Sequence, residues 1–122
     1  VEDYNRAVEL APDNAITYNN RANTRKELGD LNGAMLDYDR ALEINPEFTA
    51  AYNNRGVLRK ELGDLEGAVA DFDQALHINP KFVLASGNRA IALALEILGS
   101  ASDDGDITAQ AWLIFAEAAP RE

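Results

Sequence analysis

The 122-residue chain has no cysteine, so it can make neither a disulfide nor a thiolate metal site. That fits a reducing compartment such as the cytoplasm or a plastid stroma. His77 is the single histidine, and one imidazole makes no metal set. Basic residues are scarce: 11 Lys and Arg stand against 21 Asp and Glu, for a net charge of −10. Such a balance argues against nucleic acid and anionic lipid as partners. No apolar run approaches the roughly 18 residues of a membrane-spanning helix, so direct membrane insertion is not expected. No secretory signal pattern opens the sequence. A phosphate-binding glycine motif is missing, and so is any nucleophile–base constellation, since Ser100 and Ser102 have no base nearby. Asp103, Asp104 and Asp106 flank Gly105 but lack the spacing and closing glutamate of a calcium loop. No enzyme activity and no cofactor are expected. The first residue is Val1 and lies inside a motif, so the chain reads as a segment of something longer.

What the sequence has is repetition. YNNRANTRKELGDL at 18–31 returns as YNNRGVLRKELGDL at 52–65, with 11 of 14 positions identical. Residues 13–46 and 47–80 share 20 of 34 positions without a gap, and Pro12, Pro46 and Pro80 keep the same spacing. Further columns are Tyr4/Tyr38/Phe72, Ala7/Ala41/Ala75, Leu10/Ile44/Ile78 and Ala22/Gly56/Ala90. A period of this length signals a solenoid, whose units bury apolar faces only against their neighbours. Each unit predicts two helices, over 15–28 and 31–44, then 49–62 and 65–78. Gly29-Asp30 and Gly63-Asp64 stop one helix and cap the next. Asn45-Pro46 and Asn79-Pro80 end the second helices.

The period, the small residue at Ala22/Gly56/Ala90, the Leu-Gly-Asp turn, Ala34/Ala68, Tyr38/Phe72 and the closing proline resemble the tetratricopeptide repeat. The Asn54-Arg55-Gly56 run is similar to repeats common in bacteria and plastids. The resemblance implies an all-α, right-handed solenoid of stacked antiparallel hairpins with about seven helices. Residues 1–12 supply the second helix of a truncated repeat. Units follow at 13–46 and 47–80. A degenerate helix pair fills 81–122, its first helix at 83–98 and its second at 106–119, with a loop at 100–106 and Trp112 in the aromatic column.

Two polar columns recur with the repeat: Arg21, Arg55, Arg89 and Asp3, Asp37, Asp71. Pairing within a unit joins Arg21 to Asp37 and Arg55 to Asp71, leaving Asp3 and Arg89 over. Pairing between units joins Asp3–Arg21, Asp37–Arg55 and Asp71–Arg89. The last helix has Ala111 in the Asp column and no later arginine follows, so the inter-unit scheme is expected.

The resemblance also implies a concave groove lined by first helices. Asn20, Asn54 and Asn88, with Asn19 and Asn53 beside them, are then placed to hold a peptide main chain through amide donors and acceptors. Asn23, Val57, Ile91, Lys26 and Lys60 complete the expected lining. Seven of the eleven basic residues fall on first helices, so an acidic peptide partner is expected. The family's carboxylate clamp is not matched. Asn23 and Asn54 stand at its asparagines, but Asn19, Leu84 and Asn88 stand where its basic residues belong.

At the C-terminal end, Lys26-Glu27 and Lys60-Glu61 give way to Ala94-Leu95, and Leu113-Ile114 replace polar residues of earlier units. Leu95, Leu113 and Ile114 are therefore interface candidates. The expected function is a scaffold binding a protein or peptide in the groove. The alternatives are an assembly module that forms a homo-oligomer through those apolar residues, and the regulatory arm of a larger enzyme.

Overall fold

Polar side chains mark the helix boundaries. The computed structural model describes residues 2–99 together with Ile114, Ala116 and Glu117. Helix α1 is Glu2–Leu10, α2 Ala15–Glu27, α3 Leu31–Ile44, α4 Thr49–Glu61, α5 Leu65–Ile78 and α6 Val83–Gly99. Ile114, Ala116 and Glu117 are helical as well, and the loop expected at 100–106 lies outside the described residues. Asn14 caps α2 by accepting from the amides of Ile16 and Thr17. Asp30 and Asp64 cap α3 and α5 by accepting from Gly33 and Gly67. Between paired helices, Gly29 and Gly63 take a left-handed φ of 89°, which a side chain would disfavour. The Asn45 and Asn79 side chains accept from the amides of Glu47 and Lys81, holding the turn at each proline.

Helices α2 and α3 pack as one hairpin, and α4 and α5 as the next. Each second helix then packs on the following first helix, α3 on α4 and α5 on α6, while α1 packs on α2. First helices also touch one another, α2 against α4 and α4 against α6. Among the described residues the second helices do not. The layer of first helices is thus the tighter one, and the all-α stack curves with α2, α4 and α6 on its concave side.

Small residues make this spacing possible. Ala22, Ala34, Ala51, Ala68, Ala75 and Ala85 are fully buried between helices. The largest side chains buried with them are Tyr38, Phe72 and Leu58. Burying each aromatic ring stabilises the fold by about 2–3 kcal/mol. The two rings solve one packing problem differently. Tyr38 lies in a cluster with Ala22 and donates its hydroxyl to Asn23 Oδ1. Phe72 has no hydroxyl, and it presses on Gly56, where a β-carbon would sit 2.5 Å from the ring. Val57, in the Asn23 column, packs into the same cluster as Phe72.

Two outcomes follow from these rings. Gly56→Ala improves helix propensity by about 1 kcal/mol, yet it must displace Phe72 at a cost of roughly 1–3 kcal/mol. The expected net result is a lower urea midpoint. Unchanged or higher stability would show that the ring moves freely. For Tyr38, burial pushes the phenol pKa from 10.0 up to about 12, with Glu61 and Glu27 adding to the shift. The fold holds this proton more tightly than the unfolded chain does. Stability is therefore insensitive to this group below pH 10 and falls as pH rises through about 12. Tyr38→Phe loses about 1 kcal/mol at neutral pH through the missing Asn23 bond, and it abolishes the alkaline fall. Thermal melts between pH 8 and 11.5 read both effects.

Candidate functional site

The polar residues of the repeat separate into two sets, one joining first helices to second helices and one among the first helices. In the outer set, Arg21 places Nε and Nη2 on the two carboxylate oxygens of Asp37, at 2.8 and 2.7 Å. Arg25, one turn later on α2, adds Nη1 at 2.9 Å. The next unit repeats the arrangement. Arg55 reaches Asp71 at 3.0 and 2.8 Å, and Arg59 reaches it at 2.9 Å. Asp37 and Asp71 are each only 3% exposed, so each buried charge is met by two guanidiniums. The Asp37 hydrogen bonds raise the pKa of Arg21. Burial works against the charge on Arg55, yet Asp71 and Asp39 outweigh it and raise its pKa too. Tyr18 and Tyr52 lie under Arg21 and Arg55, with centroids 5.5 and 5.6 Å from the guanidinium carbon.

The inter-unit scheme expected from the sequence is corrected here. Asp37 and Asp71 pair within their own hairpins, not with Arg55 and Arg89. The link to the preceding unit runs through a different column. Arg55 Nη1 bonds Asp39 at 2.9 Å, Arg89 Nε bonds Asp73, and Arg21 Nη1 bonds Asn5 at 3.0 Å. The reason is helical phase. Residues two apart point about 200° apart around a helix, so Asp37 faces α2 and Asp39 faces α4. Asp3 is exposed and bonds no arginine among the described residues.

The inner set holds the asparagines. Asn54 Nδ2 donates to Asn19 Oδ1 at 3.1 Å, and Asn88 Nδ2 donates to Asn53 Oδ1 at 3.0 Å. Asn19 and Asn53 are buried, so they brace neighbouring first helices and do not line a groove. Asn20, Asn54 and Asn88 remain half-buried. Asn23 is half-buried and engaged by Tyr38. Lys26 lies 3.8 Å from Glu61 of the next hairpin. Lys60, Val57 and Ile91 are half-buried.

The expected positive groove is also corrected. Five of its seven basic residues, Arg21, Arg25, Arg55, Arg59 and Arg89, are held by second-helix aspartates. Lys26 and Lys60 are what remains.

Helix α6 has a different surface. Leu84, Asn88, Ile91, Leu95 and Leu98 recur every three or four residues and share one face. Leu84, Leu95 and Leu98 are exposed. The sequence pointed to Leu95 alone, although the heptad-like spacing of the other two was readable. Ile114 is half-buried and lines a hollow of about 240 Å³ with Leu76, Ser86, Arg89, Ala90, Leu93 and Glu117. That hollow lies on the side of α6 away from Leu95. Leu113 lies outside the described residues.

Models of the tetratricopeptide repeat match residues 3–35 and 49–82, and a TPR repeat model matches 22–63. Among solved structures the chain is similar to the Arabidopsis OM64 TPR domain, at 32% identity and a TM-score of 0.71 over 74% of each chain. It is similar to the first TPR of Spaghetti (RPAP3) bound to HSP90 peptide SRMEEVD. The identity there is 28% and the TM-score 0.72, over 80% of this chain and 75% of that one. Two crystal structures of MamA share the fold at 19% identity and a TM-score of 0.79, over 96% of this chain. The chain spans 63% and 59% of those MamA chains. No curated protein sequence matches it.

The two aspartate columns differ in energetic weight. Asp71→Asn leaves two arginines facing a neutral amide in a buried site, and is expected to cost about 3 kcal/mol. The Asp39 side chain is 45% exposed, so Asp39→Asn should cost less than about 1 kcal/mol. Urea denaturation of both variants checks this. Equal losses would overturn the assignment of the buried column as the dominant one.

Proposed function

The chain belongs to the tetratricopeptide repeat family, and from that premise we propose that it holds a peptide segment of a partner protein along α2, α4 and α6. The family supports the coarser statement that it is a protein-interaction scaffold. The observation that carries the finer one is the uncovered face of α6. Leu84, Asn88, Ile91 and Leu95 stand in line, and the matching columns on α4 are Ala50, Asn54, Val57 and Glu61. Asn54 and Asn88 spend a donor on the neighbouring helix, and each retains a carbonyl oxygen suited to a peptide N–H. The concave face is thus amide-bearing throughout and becomes apolar toward α6. A peptide with apolar residues at one end suits it best.

Acidity of the peptide counts for less than the sequence suggested, because the arginines are engaged elsewhere. The RPAP3 neighbour is bound to an HSP90 peptide ending in acidic residues. Here Asn19, Leu84 and Asn88 occupy the positions where the resemblance places basic residues, and Asn19 is buried. SRMEEVD is expected to show no saturation below about 1 mM.

A second reading, self-association through the same face, is favoured by the exposure of Leu84, Leu95 and Leu98. Light scattering over a dilution series separates the two. A monomer that binds peptides from a library supports the scaffold, and there Leu95→Asp should weaken binding about tenfold, or about 1.4 kcal/mol. A dimer that dissociates on Leu95→Asp supports self-association. Library binding that is unchanged by both Leu95→Asp and Asn54→Ala would overturn the groove.

A further inference from the structure

Three columns of the polar clasp change together in the C-terminal unit. Tyr18 and Tyr52 give way to Ser86, Arg25 and Arg59 to Leu93, and Asp37 and Asp71 to Ala111. Arg89 alone keeps its type. Arg21 and Arg55 each spend Nε, Nη1 and Nη2 on hydrogen bonds and lie over a tyrosine ring. Arg89 spends Nε on Asp73, and among the described residues its two Nη nitrogens bond nothing. The hollow of about 240 Å³ lies beside it. Its walls are Tyr18's surroundings in the register of the repeat. Arg21 and Arg40 lie over the Tyr18 ring, 5.5 and 5.9 Å from its centroid. Val8 packs on the cluster that holds Tyr18, and Glu43 pairs with Arg40. Counted by the period and back from Pro120, Arg89, Ile114, Leu76 and Glu117 take those four places, and all four line the hollow with Ser86.

We propose that this hollow is a binding site for a phenol ring from outside the fold, held beneath the Arg89 guanidinium in the space a tyrosine at 86 would fill. The size suits it, because an apolar cavity of about 150 Å³ already admits benzene. Leu76, Leu93 and Ile114 give the ring apolar walls. A guanidinium with two unspent nitrogens favours the face of an aromatic ring over an aliphatic one. Ser86 and the Glu117 carboxylate are at hand for the hydroxyl, as donor or acceptor and as acceptor. Arg89 is 42% exposed and Glu117 is exposed, so the hollow is reached from solvent between them. The same chemistry is carried by a free small phenol and by a tyrosine side chain of a partner. The hollow lies on the side of α6 away from Leu95, so its occupation is independent of the concave groove.

The probe is 4-methylphenol, the tyrosine side chain without its backbone, titrated into the full chain while the amide resonances of Ser86, Arg89 and Leu93 are followed. Saturation with a Kd of about 1 mM is expected. 4-Methylcyclohexanol is of similar size but has no π face, and should bind about threefold more weakly. Ser86→Tyr fills the hollow from within. It should raise the melting temperature by roughly 5 °C and weaken 4-methylphenol by about tenfold or more. Arg89→Gln should weaken it about threefold. N-Acetyltyrosinamide distinguishes the sources: binding as tight as that of 4-methylphenol supports a partner's tyrosine, and binding of 4-methylphenol alone supports a free phenol. The proposal is overturned by a titration that does not saturate below about 10 mM. Equal binding of the cyclohexanol overturns it too, as does undiminished 4-methylphenol binding in Ser86→Tyr. A lower melting temperature for Ser86→Tyr has the same force, since the space would then not have the shape of a ring.

Discussion

One arginine per repeat connects three helices, and the order of the stack depends on it. Arg55 sits on α4, binds Asp71 on α5 with two nitrogens and Asp39 on α3 with a third. Among the described residues the second helices do not touch, so the guanidinium is the polar bridge across the wider outer spacing. Its planar fork suits the task, because a single side chain can satisfy two carboxylates in fixed directions. Burying Asp71 is tolerable only with Arg55 and Arg59 both present. Each arginine therefore fixes the hairpin it belongs to and the angle to the one before it.

This division of labour separates the faces chemically. Most of the positive charge of the first helices is drawn outward to the aspartates of the second. The inner face keeps amides and, on α6, leucines. A protein with a large negative charge thus presents a concave surface on which few charges are free. The clasp also changes along the stack. Arg21 has a neutral outer partner in Asn5, Arg55 has Asp39, and Arg89 has Asp73 but no second arginine at position 93 and no tyrosine at 86. The middle hairpin is the most fully tied.

The helices were legible in the sequence because their stop and start signals repeat. Gly-Asp turns and Asn-Pro endings act locally and need no tertiary context to be read. The involvement of the arginines was legible too, since polar residues recurring on packed helices need partners. Their partners were not. Asp37 and Asp39 recur with one period, and only the rotation of α3 tells which side each faces. Ala111 in the Asp column of the last helix favours inter-unit pairing of Asp37, yet it is Asp39 that reaches the next unit. The asparagine bonds were hidden for another reason: Asn54 reaches Asn19, and Asn88 reaches Asn53, each one residue out of the 34-residue column. A column-by-column reading passes over such a diagonal.

The ring and small-residue pairs bear on how the chain avoids tangling with itself. Two units this alike invite exchange, in which α2 closes on α5 and leaves its own partner behind, a known failure of repeat arrays. The exchanged pair would set Phe72 against the β-carbon of Ala22, where the ring as placed has room for glycine alone. Tyr38 against α4 would meet Val57, and its hydroxyl would lose the amide that accepts its proton. Each half of the chain thereby recognises its own mate, through one methyl group and one hydroxyl.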